Sequence, residues 1–175
     1  ILFQVVFIFI FLFSLNEGVI PRALRKEKFL FRCRLENGLK GLWKEYEKYT
    51  NLPTYSFSAP EKEPIPLSRA MDHLPRSFLG RFFVFQALRW KGYIHKKGNT
   101  IYLTTSGLLR GQKLVRLHRL WELYLVRFCG MAKERVHPHA EIMEHILTPE
   151  VERELVHLLK DPKKDPHDEP IPPSL

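Results

Sequence analysis

One stretch of this sequence constrains the fold more than any other. From Thr105 to Cys129 there is no proline, and its two glycines come early, at Gly107 and Gly111. Leu, Val and Trp recur there every three to four residues. That period demands a long helix with an apolar stripe, and Gly130 supplies the stop.

The segments before it read in a definite order. Leu35, Leu39, Leu42, Trp43 and Tyr46 fall at helical spacing within 35–49. Residues 50–65 are proline-punctuated and read as loop. LSRAMDHL (67–74) is a short amphipathic helix broken by Pro75, and 76–92 is a second helix ending at Gly92. Tyr93–Lys96 and Thr100–Leu103 alternate like strands around Gly98-Asn99, a hairpin signal. Two further helices are expected over 136–147 and 149–159, the second opening on Pro149. The end, DPKKDPHDEPIPPSL, reads as Pro-rich and extended. Trp43, Trp90 and Trp121 read as core or dimer-interface residues.

Helix, helix, turn, helix and hairpin is the order of a winged helix-turn-helix. A small α+β domain with no nucleic-acid role shares that order. Charge bears on the choice. The chain carries +9 overall, with 28 Lys+Arg against 19 Asp+Glu. By segment the net is +4 over 1–49, +9 over 50–130 and −4 over 131–175. A basic middle suits a polyanion such as double-stranded DNA. Arg76, Ser77 and Arg81 fall in the first turns of the candidate recognition helix, and His95, Lys96 and Lys97 lie on the wing. Phe78, Phe82, Phe83 and Phe85 make that helix unusually apolar for a groove reader. Two cysteines, Cys33 and Cys129, exclude a disulfide framework and a four-cysteine zinc ribbon.

Chemistry concentrates in the acidic end. His118 and Glu122 share a helical face at i, i+4, and so do His137 and Glu141. Glu144 and His145 project with Glu141. Such oxygen and nitrogen donors without thiolate suit Mn²⁺ or Fe²⁺ and accept Zn²⁺, Co²⁺ or Ni²⁺ in vitro. The same pairs are common on solvated helices, so spacing alone leaves both readings open. No general base stands beside an open metal position, and no catalysis is expected.

At this point a family pattern is visible. LTTSG (103–107), HRLWE (118–122), VHPHAEIMEH (136–145) and DPHDEPIP (165–172) occur in order. Together they closely resemble the diphtheria toxin repressor family of metal-dependent transcriptional regulators. With the winged helix, the resemblance covers residues 35–172. It implies a mainly α chain with a winged helix-turn-helix DNA-binding domain over 35–104. A helical metal-binding and dimerisation domain follows over 105–160, with a tail over 161–175 and no C-terminal SH3-like domain. It implies that His118, Glu122 and His137 form the family's ancillary metal site, and that Glu141, Glu144 and His145 form most of its primary site. The first-helix ligand falls by alignment at Asn37. Manganese-type members carry a Glu three residues further on, where this chain has Lys40. The family is homodimeric, and divalent metal, Fe²⁺ or Mn²⁺, acts as corepressor on operator DNA that controls metal uptake.

The N-terminal end points elsewhere. ILFQVVFIFIFLFS (1–14) is apolar and aromatic, and Arg22, Arg25, Lys26, Lys28, Arg32 and Arg34 follow. That order marks the cytoplasmic end of a membrane span, with a buried soluble helix as the rival. Residues 1–15 read as the end of a transmembrane helix, and 16–34 as a basic juxtamembrane linker. The chain opens on Ile1, as a piece of something longer would. FSLNEGVIPRALRKEKF (13–29) is similar to the end of metal-transporting ABC permeases. That resemblance implies a permease fused to its own repressor, partnered by the ATPase and solute-binding subunits of the transporter. The module would then be a cytoplasmic domain on the inner (plasma) membrane, or one released by proteolysis near 21–34. A regulatory domain that senses metal for the permease and no longer reads DNA is the second expectation.

Overall fold

The computed structural model describes residues 18–50 and 64–174, with Phe3, Gln4, Phe11 and Ser14 as isolated positions. The transmembrane expectation for 1–15 lies almost wholly outside the described residues. Among the described residues, no helix is long and apolar enough to cross a membrane. The chain divides into two compact units, Ile1–Arg34 and Leu35–Leu175.

Helix α1 is assigned over Val19–Thr50, so the basic stretch expected as a linker is helical from Val19. Pro21 sits in its first turn, where a missing N–H costs nothing.

The remaining elements belong to the second unit. β1 (Ile65–Pro66) leads directly into α2 (Leu67–Asp72), and α3 (Phe78–Trp90) follows across a short turn. β2 (Ile94–Lys97) and β3 (Thr100–Leu103) form the hairpin, with Gly98 at φ 59 in its turn. An L side chain rarely adopts that φ. The sheet is antiparallel, ordered β1-β3-β2, with Ile65 opposite Ile101 and Ile94 opposite Leu103. β1 falls in the segment expected as loop. It is only two residues long and half proline, tolerable because it lies at a sheet edge.

Two corrections concern α3. It begins at Phe78, because Ser77 is its N-cap and accepts the Gly80 N–H at 3.2 Å. Arg76 therefore precedes the helix. Trp90, expected in a core or a dimer interface, is 86% exposed at the helix end and so is not a core residue of the single chain.

The long helix α4 (Thr105–Cys129) stands as expected, closed by Gly130 at φ 63. Its start is locked to the wing. Thr104 accepts the Gly107 N–H at 3.0 Å through its hydroxyl, which donates in turn to the Gly92 carbonyl. The Thr104 N–H donates to the Tyr93 carbonyl at 3.0 Å. A Cβ on Gly107 would collide with that same carbonyl oxygen. One core packs α1 from Leu35 to Trp43 against Leu74, Val84, Leu88, Ile101 and Val115.

α5 covers Lys133–Met143, one turn earlier than expected, with Pro138 inside it. Glu144 caps its end and His145 lies in the turn beyond. α6 (Pro149–Leu158) is capped by the Thr148 hydroxyl. The tail is not extended. Asp165 accepts the N–H groups of His167 and Glu169 at 2.8 and 3.0 Å, and the turn closes on a Lys164–Pro170 bridge. Ile171 then joins a second small core with Leu120, Leu123 and Leu159. The architecture is a mainly helical chain with a winged helix-turn-helix head and a helical second half.

Candidate metal centre and nucleic-acid interface

His118 and Glu122 are one turn apart on the buried face of α4, and the Gly130 turn brings α5 back so that His137 meets them. Three donor atoms converge. His118 Nε2 lies 2.9 Å from His137 Nδ1 and 3.2 Å from Glu122 Oε1, and His137 Nδ1 lies 3.0 Å from Glu122 Oε1. For bonds of about 2.1 Å, adjacent ligands in an octahedron stand about 3.0 Å apart. These three atoms therefore form one face of such a polyhedron. Among the described residues this is the one His/Cys/Asp/Glu group with converging ligand atoms.

The electrostatics agree. Burial pulls the Glu122 carboxyl upward, but the hydrogen bonds and charges of His118 and His137 prevail and hold it at about 2. Burial disfavours a charged His118, and its bonds to Glu122 and Glu144 outweigh that and raise its pKa. Glu122 is thus held ionised, the form in which a carboxylate ligates a cation, and a proton on His118 is what a divalent ion would have to displace. The open side is a cleft of about 280 Å³, lined also by the acidic Glu47, Asp165 and Glu169, by His167, and by the cations Lys44, Lys48 and Arg119. A larger cleft, about 740 Å³ between α4, α6 and the tail, lies away from this chemistry. Arg116 there is already engaged, donating to Glu152 at 3.0 Å and to the Pro172 carbonyl.

The second group of expected ligands is disposed differently. Glu144 accepts from His118 Nδ1 on one oxygen and from the Lys40 ammonium at 2.5 Å on the other. A carboxylate on the far nitrogen of a ligating imidazole fixes its tautomer and leaves Nε2 to face the other donors. Lys40 also stands 3.8 Å from Glu141 and 3.5 Å from His118 Nδ1. His145 has both ring nitrogens engaged, Nδ1 with Glu36 at 2.7 Å and Nε2 with the Asn37 oxygen at 2.9 Å. Arg110 donates to the other Glu36 oxygen at 2.5 Å. Asn37 thus contacts His145, while Glu141, Glu144 and His145 do not form one chelating set. Burial raises Glu36 and Glu144, and His145 with Arg110, and His118 with Lys40, respectively outweigh it, so both carboxyls are lowered.

Sequence reasoning missed Glu36 and Arg110 and gave Lys40 no partner. Only the Lys at a position where the family carries a carboxylate signalled it.

On the head, Lys96 and Lys97 are exposed on the wing, and Arg76 is exposed before α3. Ser77 is committed to capping, and Arg81 donates its Nε to the Pro75 carbonyl at 3.2 Å. The outer face of α3 carries exposed Phe78, Leu79, Phe82 and Phe83.

A winged-helix head is thus joined by one continuous helix to a His/Glu cluster whose donor atoms converge. Residues 104–173 match the family described as iron dependent repressor, metal binding and dimerisation domain. The chain is 35% identical over 161 residues to a "Probable metal transport system membrane protein" of Chlamydia trachomatis serovar D, covering 92% of this chain and 34% of that one. It is 38% identical over 82 residues to the "Iron-dependent repressor IdeR" of Mycobacterium leprae, covering 46% of this chain and 36% of that one. Among solved structures, a "Manganese-dependent transcriptional repressor complex with manganese" superposes with TM-score 0.65 at 25% identity, over 80% of this chain and 59% of that one. The chain spans about a third of the chlamydial relative.

Proposed function

We propose that this chain is a metal-dependent DNA-binding repressor module for metal-uptake genes, with Fe²⁺ or Mn²⁺ as corepressor. The observation that carries it is the convergence of His118, Glu122 and His137 at 2.9–3.2 Å from two helices. These three residues would hold the ion, whose charge there would fasten α5 to α4. Glu144 orients His118 from behind, and α4 runs on from the cluster to the wing, where Thr104 and Gly107 fix it. The head is thereby biased toward one disposition, which a polyanionic groove can select. Arg76, Arg81, Lys96 and Lys97 would contact DNA, with Ser77 holding the helix start. Two chains pair through the helical half, where Phe128, Ile142 and Ile146 are exposed. Exposed apolar side chains of this kind are what a dimer covers.

The chlamydial likeness supports membership of a larger metal-transport membrane protein, with the basic α1 segment near the membrane and the transporter's ATPase and solute-binding subunits as partners. A second reading, a metal-sensing regulatory domain of that permease that does not read DNA, is favoured by the exposed Phe78, Leu79, Phe82 and Phe83 on the outer face of α3.

The test is fluorescence anisotropy of the 175-residue chain on duplex DNA from upstream of the metal-uptake genes, titrated anaerobically with Mn²⁺ and Fe²⁺ at fixed salt. Tight binding only with metal, abolished by Arg81→Glu, is the expected result. Metal-loaded chain with no affinity for DNA selects the permease reading.

A further inference from the structure

We propose that the ammonium of Lys40 takes the place of a second divalent cation, so that each chain binds one ion, at His118, Glu122 and His137, and none at Glu141, Glu144 and His145. The inference rests on the reading of that trio as the metal centre.

Glu144 and His145 already have partners supplied by the chain on the atoms a metal would need, and Glu141 faces the same ammonium. Lys40 is 5% exposed, and its Nζ lies 2.5 Å from Glu144 Oε1. A buried charge of this kind persists only when paired. The same ammonium stands 3.8 Å from Glu141, so it lies on the side where both carboxylates would have to meet a metal. A divalent ion on Glu144 Oε1 would sit against a fixed positive charge in a region closed to screening solvent. His145 is withdrawn as well. Its Nδ1 faces Glu36, its Nε2 faces Asn37, and Glu36 is held in turn by Arg110. The nearest approach of His145 Nε2 to Glu144 Oε1 is 3.8 Å, with Lys40 already on that oxygen. The group therefore does not fit a metal. It is a closed set of ion pairs that joins α1 to the end of α5, and the tie is present whatever the metal concentration.

This divides the labour between the two clusters. Contact between α1 and α5 is supplied by a side chain of fixed charge, and the response to metal falls on the trio between α4 and α5. One saturable site per chain gives a simple hyperbolic occupancy within each chain, so any steepness in the DNA response arises from pairing of chains.

The experiment counts ions. Native mass spectrometry and calorimetric titration of the 175-residue chain with Mn²⁺ are expected to give one ion per chain. Lys40→Glu removes the ammonium and supplies a carboxylate, and is expected to give two. Adding His137→Ala to Lys40→Glu should return the count to one. Two ions in the unaltered chain would overturn the inference and leave the trio reading standing, whereas no bound ion would overturn the trio reading itself. A Lys40→Glu chain that is folded by circular dichroism and still takes one ion also overturns the inference. Should that variant not fold, Lys40→Met is the second probe. It is expected to rise in Tm with Mn²⁺ as two ions bind per chain, and one bound ion there would equally overturn the proposal.

Discussion

Two clusters of acidic and imidazole side chains lie side by side, one between α4 and α5 and the other between α1 and the end of α5, and they are built on opposite principles. In the trio, His118, Glu122 and His137 turn three electron pairs toward one another within 3.2 Å. In its neighbour, Glu36, Glu141, Glu144 and His145 are met by Lys40, Arg110 and Asn37. The first arrangement leaves a demand for positive charge that solvent ions or protons must meet. The second meets that demand from within the sequence. On the proposed reading, similar residue types would give a sensor in one place and a strut in the other, and the difference is one lysine 104 positions away in the chain from its partner.

The largest expected effect comes from removing an electron pair of the trio. His137 is the one exposed ligand, so His137→Ala leaves the fold alone and should weaken Mn²⁺ binding about 100-fold or more, roughly 2.7 kcal/mol, in calorimetric titration. Acid comes next. Glu122 titrates at about 2 in the folded chain and near 4.5 unfolded, so its contribution is complete above about pH 4.5 and disappears as pH falls toward 2. With allowance for screening at the open rim this is about 2 kcal/mol. Denaturant titrations of the chain and of Glu122→Gln between pH 6 and 2.5 should converge as the acid limit is approached.

A finer probe crosses between the clusters. Glu144→Gln preserves shape and keeps an acceptor for His118 Nδ1, but removes the negative charge behind the imidazole. Metal affinity at the trio should fall by about 10-fold, with Lys40 left without its buried counter-charge. Unchanged affinity would show that the two clusters are electrically independent. The smallest effect is expected outside both. Arg153 pairs with Glu150 on the surface of α6, where both side chains are well exposed, and Arg153→Ala should leave Tm and metal affinity unchanged.

Half of the trio was legible by spacing, which paired His118 with Glu122 but His137 with Glu141; the family resemblance is what put His137 with the first pair. His118 and Glu122 are one turn apart, and the glycine at 130 turns the chain so that His137 comes back to them. The head was legible for a similar reason, since Pro75, Gly92 and Gly98 punctuate its elements. The Lys40 cluster was not, because a buried ion pair is decided by elements far apart in the chain, and residue type at Lys40 is silent about which carboxylate it will meet. The tail misled through its prolines. They suggest extension, but the Asp165 side chain gathers two backbone N–H groups and turns the segment back onto α4, where Arg119 donates to the Pro170 carbonyl at 2.7 Å. The start of α3 was misplaced by two residues because Ser77 caps the helix instead of entering it.

The bare backbone at Gly107 has a mechanical meaning. With no side chain there, α4 lies flush on the Tyr93 carbonyl, and the joint between helix and wing has no play. From Thr105 to Glu122 the helix is about 25 Å of stiff rod. A tilt of about 5° at the trio therefore swings the wing end by about 2 Å, nearly the length of a hydrogen bond. On the proposed reading, the helix is a lever whose short stroke one ion would set and whose tip a groove would read at atomic tolerance.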